Sequence, residues 1–132
     1  MSTPLNPAAR SLHVFGLYLL GAGAALMAAP AVLLSPLAIP VPTDVWIRVA
    51  GLLALCLGAT DVLAARSGAI ALIRFSVWRR VLAAVALLVF VAAGLAPPAL
   101  CLFALVDAGA AGWTAWALRG LGHAAPVAAR AA

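Results

Sequence analysis

The sequence contains no lysine, glutamate or glutamine, and only 8% of its 132 residues are charged. In soluble domains about 25% of the residues carry a charge. Because a water-facing surface needs many charged side chains, this scarcity excludes an ordinary soluble globular protein. Apolar residues make up 67% of the chain, which also excludes intrinsic disorder. The class that remains is a protein with several membrane-spanning segments.

Residues that bind metals or carry redox chemistry are equally scarce. The two cysteines, Cys56 and Cys101, lie inside apolar runs and form no CxxC motif. The two histidines, His13 and His123, are far apart and have no ligand spacing. The sequence therefore predicts no metal, no cofactor and no catalytic constellation, and favours a protein that is not an enzyme.

The positive charge of the chain has a membrane explanation. Eight arginines against three aspartates give a net charge of +5, which by itself would suit a nucleic-acid-binding protein. No segment, however, interleaves basic and aromatic residues as a nucleic-acid groove does. Most of the arginines stand near the ends of apolar segments, where they act as topology signals. The predicted partner is the lipid bilayer, and nucleic acid is excluded.

Four apolar segments approach or exceed the roughly 20 residues that a bilayer-spanning helix needs. They are residues 12–34, 45–65, 76–96 and 98–118. Short links make sequential neighbours antiparallel, so residues 1–120 are predicted to form one all-α, membrane-spanning, antiparallel four-helix bundle. The remaining residues, 121–132, are predicted to be a short disordered cytoplasmic tail. The link over residues 66–75 either lies in the headgroup plane or extends the third span.

The arginines also predict the orientation. With the amino terminus in the cytoplasm, seven arginines lie on the inner side: Arg10, Arg66, Arg74, Arg79, Arg80, Arg119 and Arg130. Only Arg48 lies near the outer side, where its long stem is expected to reach the headgroups. This asymmetry predicts that both termini are cytoplasmic. Abundant alanine without lysine suggests a GC-rich bacterial genome.

One polar cluster is predicted in the inner half of the bundle. Folding the second hairpin about residue 70 places Asp61 opposite Arg79 or Arg80, and Tyr18 falls at a similar depth. An aspartate–arginine pair would neutralise both charges in a poor solvent. Two interpretations stay open: a clamp that holds the helix register, or a site for an ion or ligand.

Asp107 lies near the predicted bilayer midplane, where a charge costs at least about 2.5–3.5 kcal/mol. One interpretation is a protonated carboxyl that hydrogen-bonds a neighbouring helix. A second interpretation is that Arg79 or Arg80 reaches the carboxyl from the inner side. The remaining two are a site that handles protons or cations, and a contact with a partner chain. A stripe of small and polar residues places it on a packed helix face with Ala104, Ala111 and Thr114.

Small residues at four-residue spacing mark two further faces for helix packing. In the first span the predicted stripe is Gly21, Ala25 and Ala29. In the second span it is Ala50, Ala54 and Gly58, and it continues to Asp61. Both stripes are expected to face the interior of the bundle.

Three stretches carry a family resemblance: residues 46–51 (WIRVAG), residues 94–98 (GLAPP), and Val106-Asp107 with Trp113-Thr114. On these the chain resembles small uncharacterised four-span bacterial membrane proteins, and it is similar to the DoxX-like group in size and span count. The resemblance implies an inner-membrane location and no defined activity. Small multidrug-resistance transporters are similar in length and plan, but they depend on a glutamate in the first span and this chain has none.

Three functional hypotheses follow from these features. The favoured prediction is a non-enzymatic membrane subunit that packs with a membrane protein partner or with itself as a homo-oligomer. The alternative is an oligomeric small transporter or channel subunit that uses the intramembrane acids Asp107 and Asp61. A third hypothesis is an enzyme or redox subunit acting on a lipid or quinone, which would have to use Tyr18, Asp61 and the arginines.

Overall fold

The structure, a computed structural model, describes the backbone of residues 5–129 and the side chains of residues 5–121. The helices are α1 (Pro7–Ala28), α2 (Pro30–Leu34), α3 (Trp46–Ser67), α4 (Ile70–Ala92) and α5 (Leu100–Ala129), with a 3-10 turn at Ser35–Leu37. No strand occurs in the described part of the chain. The predicted all-α antiparallel bundle is confirmed. Four helices, α1, α3, α4 and α5, are long and apolar enough to cross a membrane, which indicates a multi-pass membrane protein.

The first span begins earlier than predicted and is interrupted. The Asn6 side chain accepts a hydrogen bond from the backbone N–H of Ala9 at 2.8 Å, and Pro7 follows as the first helical residue. This is a favourable helix start, so α1 begins five residues before the predicted boundary at residue 12. At the other end, Ala29 has φ −148° and ψ 71°, which interrupts the helix before Pro30. The five residues of α2 follow this break.

Arg48 connects α3 to the break after α1. In an uninterrupted helix the carbonyl of Met27 would accept a bond from the N–H four residues later. Here the Nη1 atom of Arg48 donates a hydrogen bond to that carbonyl. The guanidinium of Arg48 therefore caps the end of α1, and the expectation that its stem reaches the lipid headgroups stays a prediction.

A glycine shortens the connection between α3 and α4. Gly68 has φ +65°, a left-handed conformation that ends α3 at little cost because glycine has no Cβ. Helix α4 then begins at Ile70. Of the two interpretations of residues 66–75, the structure supports the extension of the third span, and Arg74 lies inside α4.

The connection between α4 and α5 is the tight turn that the sequence predicts. Gly94 has φ +71°, and the N–H of Leu95 returns to the carbonyl of Phe90 at 2.9 Å. Helix α5 begins at Leu100, two residues after Pro98. The backbone of residues 121–129 continues α5 as helix, where the sequence predicts a disordered tail over 121–132, and residues 130–132 lie outside the described part of the chain.

The bundle consists of two hairpins, α1–α3 and α4–α5. Within each hairpin the helices pack along much of their length, and α1 contacts α5 to join the hairpins, whereas α3 and α4 contact each other only briefly. We call the end where α1 and α4 begin and α3 ends the arginine-rich end. The apolar core at this end draws on all four spans through Ala8, Ala9, Leu12, Ala64, Ala65, Ile73 and Ala117.

Two glycine pairs bring α1 and α3 into close backbone contact. A Cβ atom on Gly58 would lie 2.8 Å from the carbonyl oxygen of Gly16, and one on Gly23 would lie 2.7 Å from that of Gly51. Real Cβ atoms do not approach backbone oxygens so closely, so each position requires glycine. In each helix the glycines are seven residues apart, which is nearly two helical turns.

The predicted small-residue stripes are therefore only partly right. A Cβ on Gly21 would meet nothing within 4 Å, so the stripe of Gly21, Ala25 and Ala29 is wrong as the packed face of α1. In α3, Gly58 and Asp61 are buried as predicted, whereas Ala50 is exposed. The physical reason is spacing: close contact follows the seven-residue glycine pairs rather than a four-residue stripe.

Candidate functional site

The structure brings Asp61 and Arg79 together across the α3–α4 hairpin. The Nη2 atom of Arg79 lies 2.7 Å and 2.6 Å from the two carboxylate oxygens of Asp61. Asp61 is 4% exposed, and the side chain of Arg79 is 23% exposed. Of the two arginines that hairpin symmetry allowed, Arg79 is thus the partner of Asp61. The pair bridges α3 and α4 near the arginine-rich end.

Arg80, one residue further, points into the bundle instead. Successive helical residues are rotated by about 100° about the helix axis, so two neighbouring arginines on α4 point toward different helices. Arg80 is 2% exposed, and its Nη1 atom donates a hydrogen bond to the hydroxyl of Thr114 at 3.1 Å. Its guanidinium carbon lies 4.1 Å from the centre of the Phe15 ring, a cation–π contact. Arg80 therefore joins α4 to both α5 and α1.

A pair of hydroxyls extends this contact. The Ser11 and Thr114 oxygens are 2.8 Å apart, and Thr114 also bonds the Ala110 carbonyl in its own helix at 2.9 Å. The sequence predicted that Thr114 lies on a packed face of its helix but missed its contacts with Ser11 and Arg80. The spacing of Ser11 and Phe15, one helical turn apart, was a signal that both belong to the buried face of α1.

Arg80 retains unused hydrogen-bonding capacity. Its Nε and Nη2 atoms are buried and have no hydrogen-bond partner among the described residues. An unmatched buried donor costs about 1–3 kcal/mol. The positive charge is offset in part by Asp61 and Asp107, both of which interact with Arg80 electrostatically. The charge of Arg80 is thus only partly compensated, and two of its nitrogen atoms have no described hydrogen-bond partner.

Asp107 and Tyr18 complete the polar cluster. Asp107 is half-buried on α5, seven residues before Thr114 and so nearly two turns away on the same face. It interacts electrostatically with Arg79, Arg80 and Tyr18. Tyr18 packs its ring on Phe15 with centroids 5.7 Å apart and is 37% exposed. Of the five predicted residues, Asp61 and Arg79 are in direct contact, whereas Asp107 interacts with Arg79, Arg80 and Tyr18 through electrostatics without a described hydrogen bond or ion pair.

The arrangement joins helices through polar contacts and also supplies titratable groups within an apolar bundle. Within the described part of the chain, no group of three or more His, Cys, Asp or Glu residues is placed to hold a metal ion. The Ser11–Thr114–Arg80 contacts and Asp107 lie along about two turns of α5, or about 10 Å of the bundle axis.

Two surface grooves adjoin this polar core. The α3–α4 groove has a volume of about 620 Å³ and contains the side chains of Asp61 and Arg79. The other residues that line it are Leu57, Thr60, Leu63, Ala64, Ser67, Leu72, Phe75 and Ser76. The α4–α5 groove, of about 340 Å³, lies at the arginine-rich end and is lined by Arg74, Val77, Trp78, Ala115, Leu118 and Arg119.

Comparison of the chain with family models, with curated proteins and with solved structures finds no match. The conclusions about this site therefore depend on its own geometry and chemistry.

Proposed function

We propose that this protein is a non-enzymatic subunit of a bacterial inner membrane that packs onto a further transmembrane helix through the α3–α4 groove. The observation that carries the proposal is the Asp61–Arg79 ion pair, which lines an open and otherwise largely apolar groove. The further helix belongs either to another membrane protein or to a second copy of the chain.

The energetic argument starts from the shape of the α3–α4 hairpin. Only Gly68 and Ala69 separate the two helices, yet α3 and α4 contact each other only briefly and leave a groove between them. Charged groups inside a bilayer almost always face protein or water rather than lipid tails. Arg79 remains 23% exposed on its side chain, so its remaining N–H groups require an acceptor. A helix seated in the groove supplies both polar acceptors and close packing.

The distribution of arginine supports an orientation in which both termini of the chain are cytoplasmic. Six arginines lie on the half of the bundle at the arginine-rich end: Arg10, Arg66, Arg74, Arg79, Arg80 and Arg119. Arg48 lies at the opposite end, and Arg130 is outside the described residues. Loops rich in arginine stay in the cytoplasm, which supports cytoplasmic termini.

Site-directed cross-linking in native membranes tests the proposal. In a background with Cys56 and Cys101 replaced by alanine, Leu63→Cys places a thiol in the groove, and Leu82→Cys provides a control elsewhere on the surface. Both leucines are 70% exposed, so the two positions are matched in exposure. With a short thiol-directed photo-cross-linker, we expect one discrete protein adduct from Leu63→Cys and none from Leu82→Cys.

The mass of that adduct identifies the partner. A product of twice the chain mass shows self-association, and a defined foreign protein shows an accessory subunit; either result supports the proposal. Only lipid adducts at Leu63→Cys, or the same protein adducts at both positions, would overturn it.

The second candidate function is an oligomeric transporter or channel. It is favoured by the unpartnered Nε and Nη2 atoms of Arg80 in the same core as Asp107. If Asp107 carries protons, Asp107→Asn abolishes proton movement, because an amide hydrogen-bonds but does not ionise. The measurement is decay of a pH gradient in proteoliposomes, with wild-type protein faster than empty vesicles and Asp107→Asn equal to them. Wild-type decay no faster than that of empty vesicles would remove this candidate.

A further inference from the structure

The α3–α4 groove lies on the least closed side of the bundle. Helix α3 packs mainly against α1, and α4 packs mainly against α5, whereas α3 and α4 contact each other only briefly. The largest apolar side chains at the groove, Leu63, Leu72 and Phe75, are each more than half exposed. Small and large apolar side chains at an open helix pair are a surface on which further helices pack in a membrane.

The ion pair in this groove retains hydrogen-bonding capacity of both kinds. Both bonds to Asp61 come from the Nη2 atom of Arg79, so the Nε and Nη1 atoms of Arg79 donate to no described residue. An ionised carboxylate accepts about four hydrogen bonds, and Asp61 accepts two from Arg79. The pair as a whole is neutral. The groove is therefore complementary to a surface that offers both a donor and an acceptor, rather than to a surface of one charge.

A second copy of the chain supplies that surface. Copies inserted with the same orientation place their Asp61–Arg79 pairs at the same depth in the membrane. In a two-fold dimer one patch faces the same patch in reverse order. Helix α3 of one copy then lies opposite α4 of the other, and each Arg79 faces the carboxylate of the other copy. Two neutral pairs thereby join into one neutral group of four charges, and the charge-assisted hydrogen bonds within it are strong.

We infer that two copies of this chain associate through their α3–α4 grooves about a two-fold axis along the membrane normal. Arg79 of each copy bridges its own Asp61 and the Asp61 of the other copy, and Leu63, Leu72 and Phe75 pack around the four charges. This inference rests on the proposed function, because it identifies the occupant of the same groove. A foreign helix seated there would overturn the inference and leave the proposed function standing.

Energy transfer between donor-labelled and acceptor-labelled copies of the full chain in liposomes tests the association. The liposomes consist of phosphatidylethanolamine and phosphatidylglycerol and contain no other protein, so a foreign partner cannot contribute. We expect energy transfer that rises with the ratio of protein to lipid and then saturates, as a monomer–dimer equilibrium does. Energy transfer no greater than that of randomly distributed labels would overturn the inference. The Leu63→Cys adduct in native membranes would still decide the proposed function.

Two leucine variants show whether the association uses the groove. Leu63 and Leu105 are 70% and 69% exposed, and Leu105, on α5, lines neither groove. We expect Leu63→Ala to weaken dimerisation at least about fivefold, because the residue occurs twice in the interface. Leu105→Ala is expected to change dimerisation less than about twofold. Equal losses in the two variants would place the interface elsewhere and overturn the inference.

The double variant Asp61→Ala/Arg79→Leu tests the ionic part of the interface. It leaves no unpaired charge, and a thermal melt in detergent checks that it is folded. We expect it to dimerise about tenfold more weakly than the wild type, because two symmetry-related sets of polar contacts between helices are lost. Dimerisation as strong as that of the wild type would overturn the contact of Arg79 with the second copy. Leu63→Ala keeps the ion pair, so the groove is tested independently of this variant.

Discussion

Replacing Gly58 by alanine is expected to destabilise the protein, although alanine forms helices better than glycine. The new Cβ would lie 2.8 Å from both the Gly16 carbonyl oxygen and the Leu20 backbone nitrogen. Because both are backbone atoms, α1 itself must move away. Overpacking of this kind costs about 1–3 kcal/mol, which exceeds the gain in helix propensity of about 0.5–1 kcal/mol. The expected result is a lower melting temperature in detergent.

Gly21→Ala is the matched control for this prediction. It lies in α1, and a Cβ there meets nothing within 4 Å. Only the helix propensity changes, so we expect this variant to melt at or above the wild-type temperature. A Gly58→Ala protein as stable as the Gly21→Ala protein would show that α1 and α3 are not in close contact.

Replacing Asp61 by alanine is expected to destabilise the protein more than Gly58→Ala does. It leaves the Arg79 guanidinium without its carboxylate inside the spanning part of the bundle. Breaking a buried ion pair costs about 3–5 kcal/mol, and the partial exposure of Arg79 places the expected loss toward the lower value. The measurements are the yield of folded protein from the membrane and its melting temperature.

The double variant Asp61→Ala/Arg79→Leu separates charge from packing. Because Arg79 is also replaced, no unpaired charge remains in the bundle, and most of the lost stability is expected to return. Replacing a buried ion pair by apolar residues often leaves the stability of a protein unchanged. Thr60→Ala is a control on the neighbouring residue, whose hydroxyl bonds only the Leu57 carbonyl of its own helix at 2.8 Å. A single Asp61→Ala variant with wild-type yield and melting temperature would contradict the clamp interpretation.

The four spans and one charged pair could be predicted from the sequence because both depend on local properties. The length of an apolar run determines whether a helix crosses a membrane. Counting residues on each side of a short link is enough to match Asp61 with the region of Arg79. The choice between Arg79 and Arg80 was beyond the sequence, since it depends on which helices cover the two faces of α4.

The features that escaped prediction depend on tertiary contact. Gly21 and Gly23 are equally small, and only the position of α3 selects Gly23 for close packing. The cation–π contact of Arg80 with Phe15 requires α1 to lie beside α4 and α5, which short links alone do not specify. The extension of α4 back to Ile70 depends on the left-handed Gly68, which ends α3 in a single residue.

The described side-chain hydrogen bonds and the ion pair that join the two hairpins lie toward the arginine-rich end. These contacts hold the two hairpins together at one end of the bundle. Toward the opposite end, no described side-chain hydrogen bond or ion pair joins the two hairpins, and lipid tails compete with apolar helix contacts on nearly equal terms. Separating the hairpins there would break no polar bond among the described side chains. We therefore expect the two hairpins to separate more readily at that end than at the arginine-rich end.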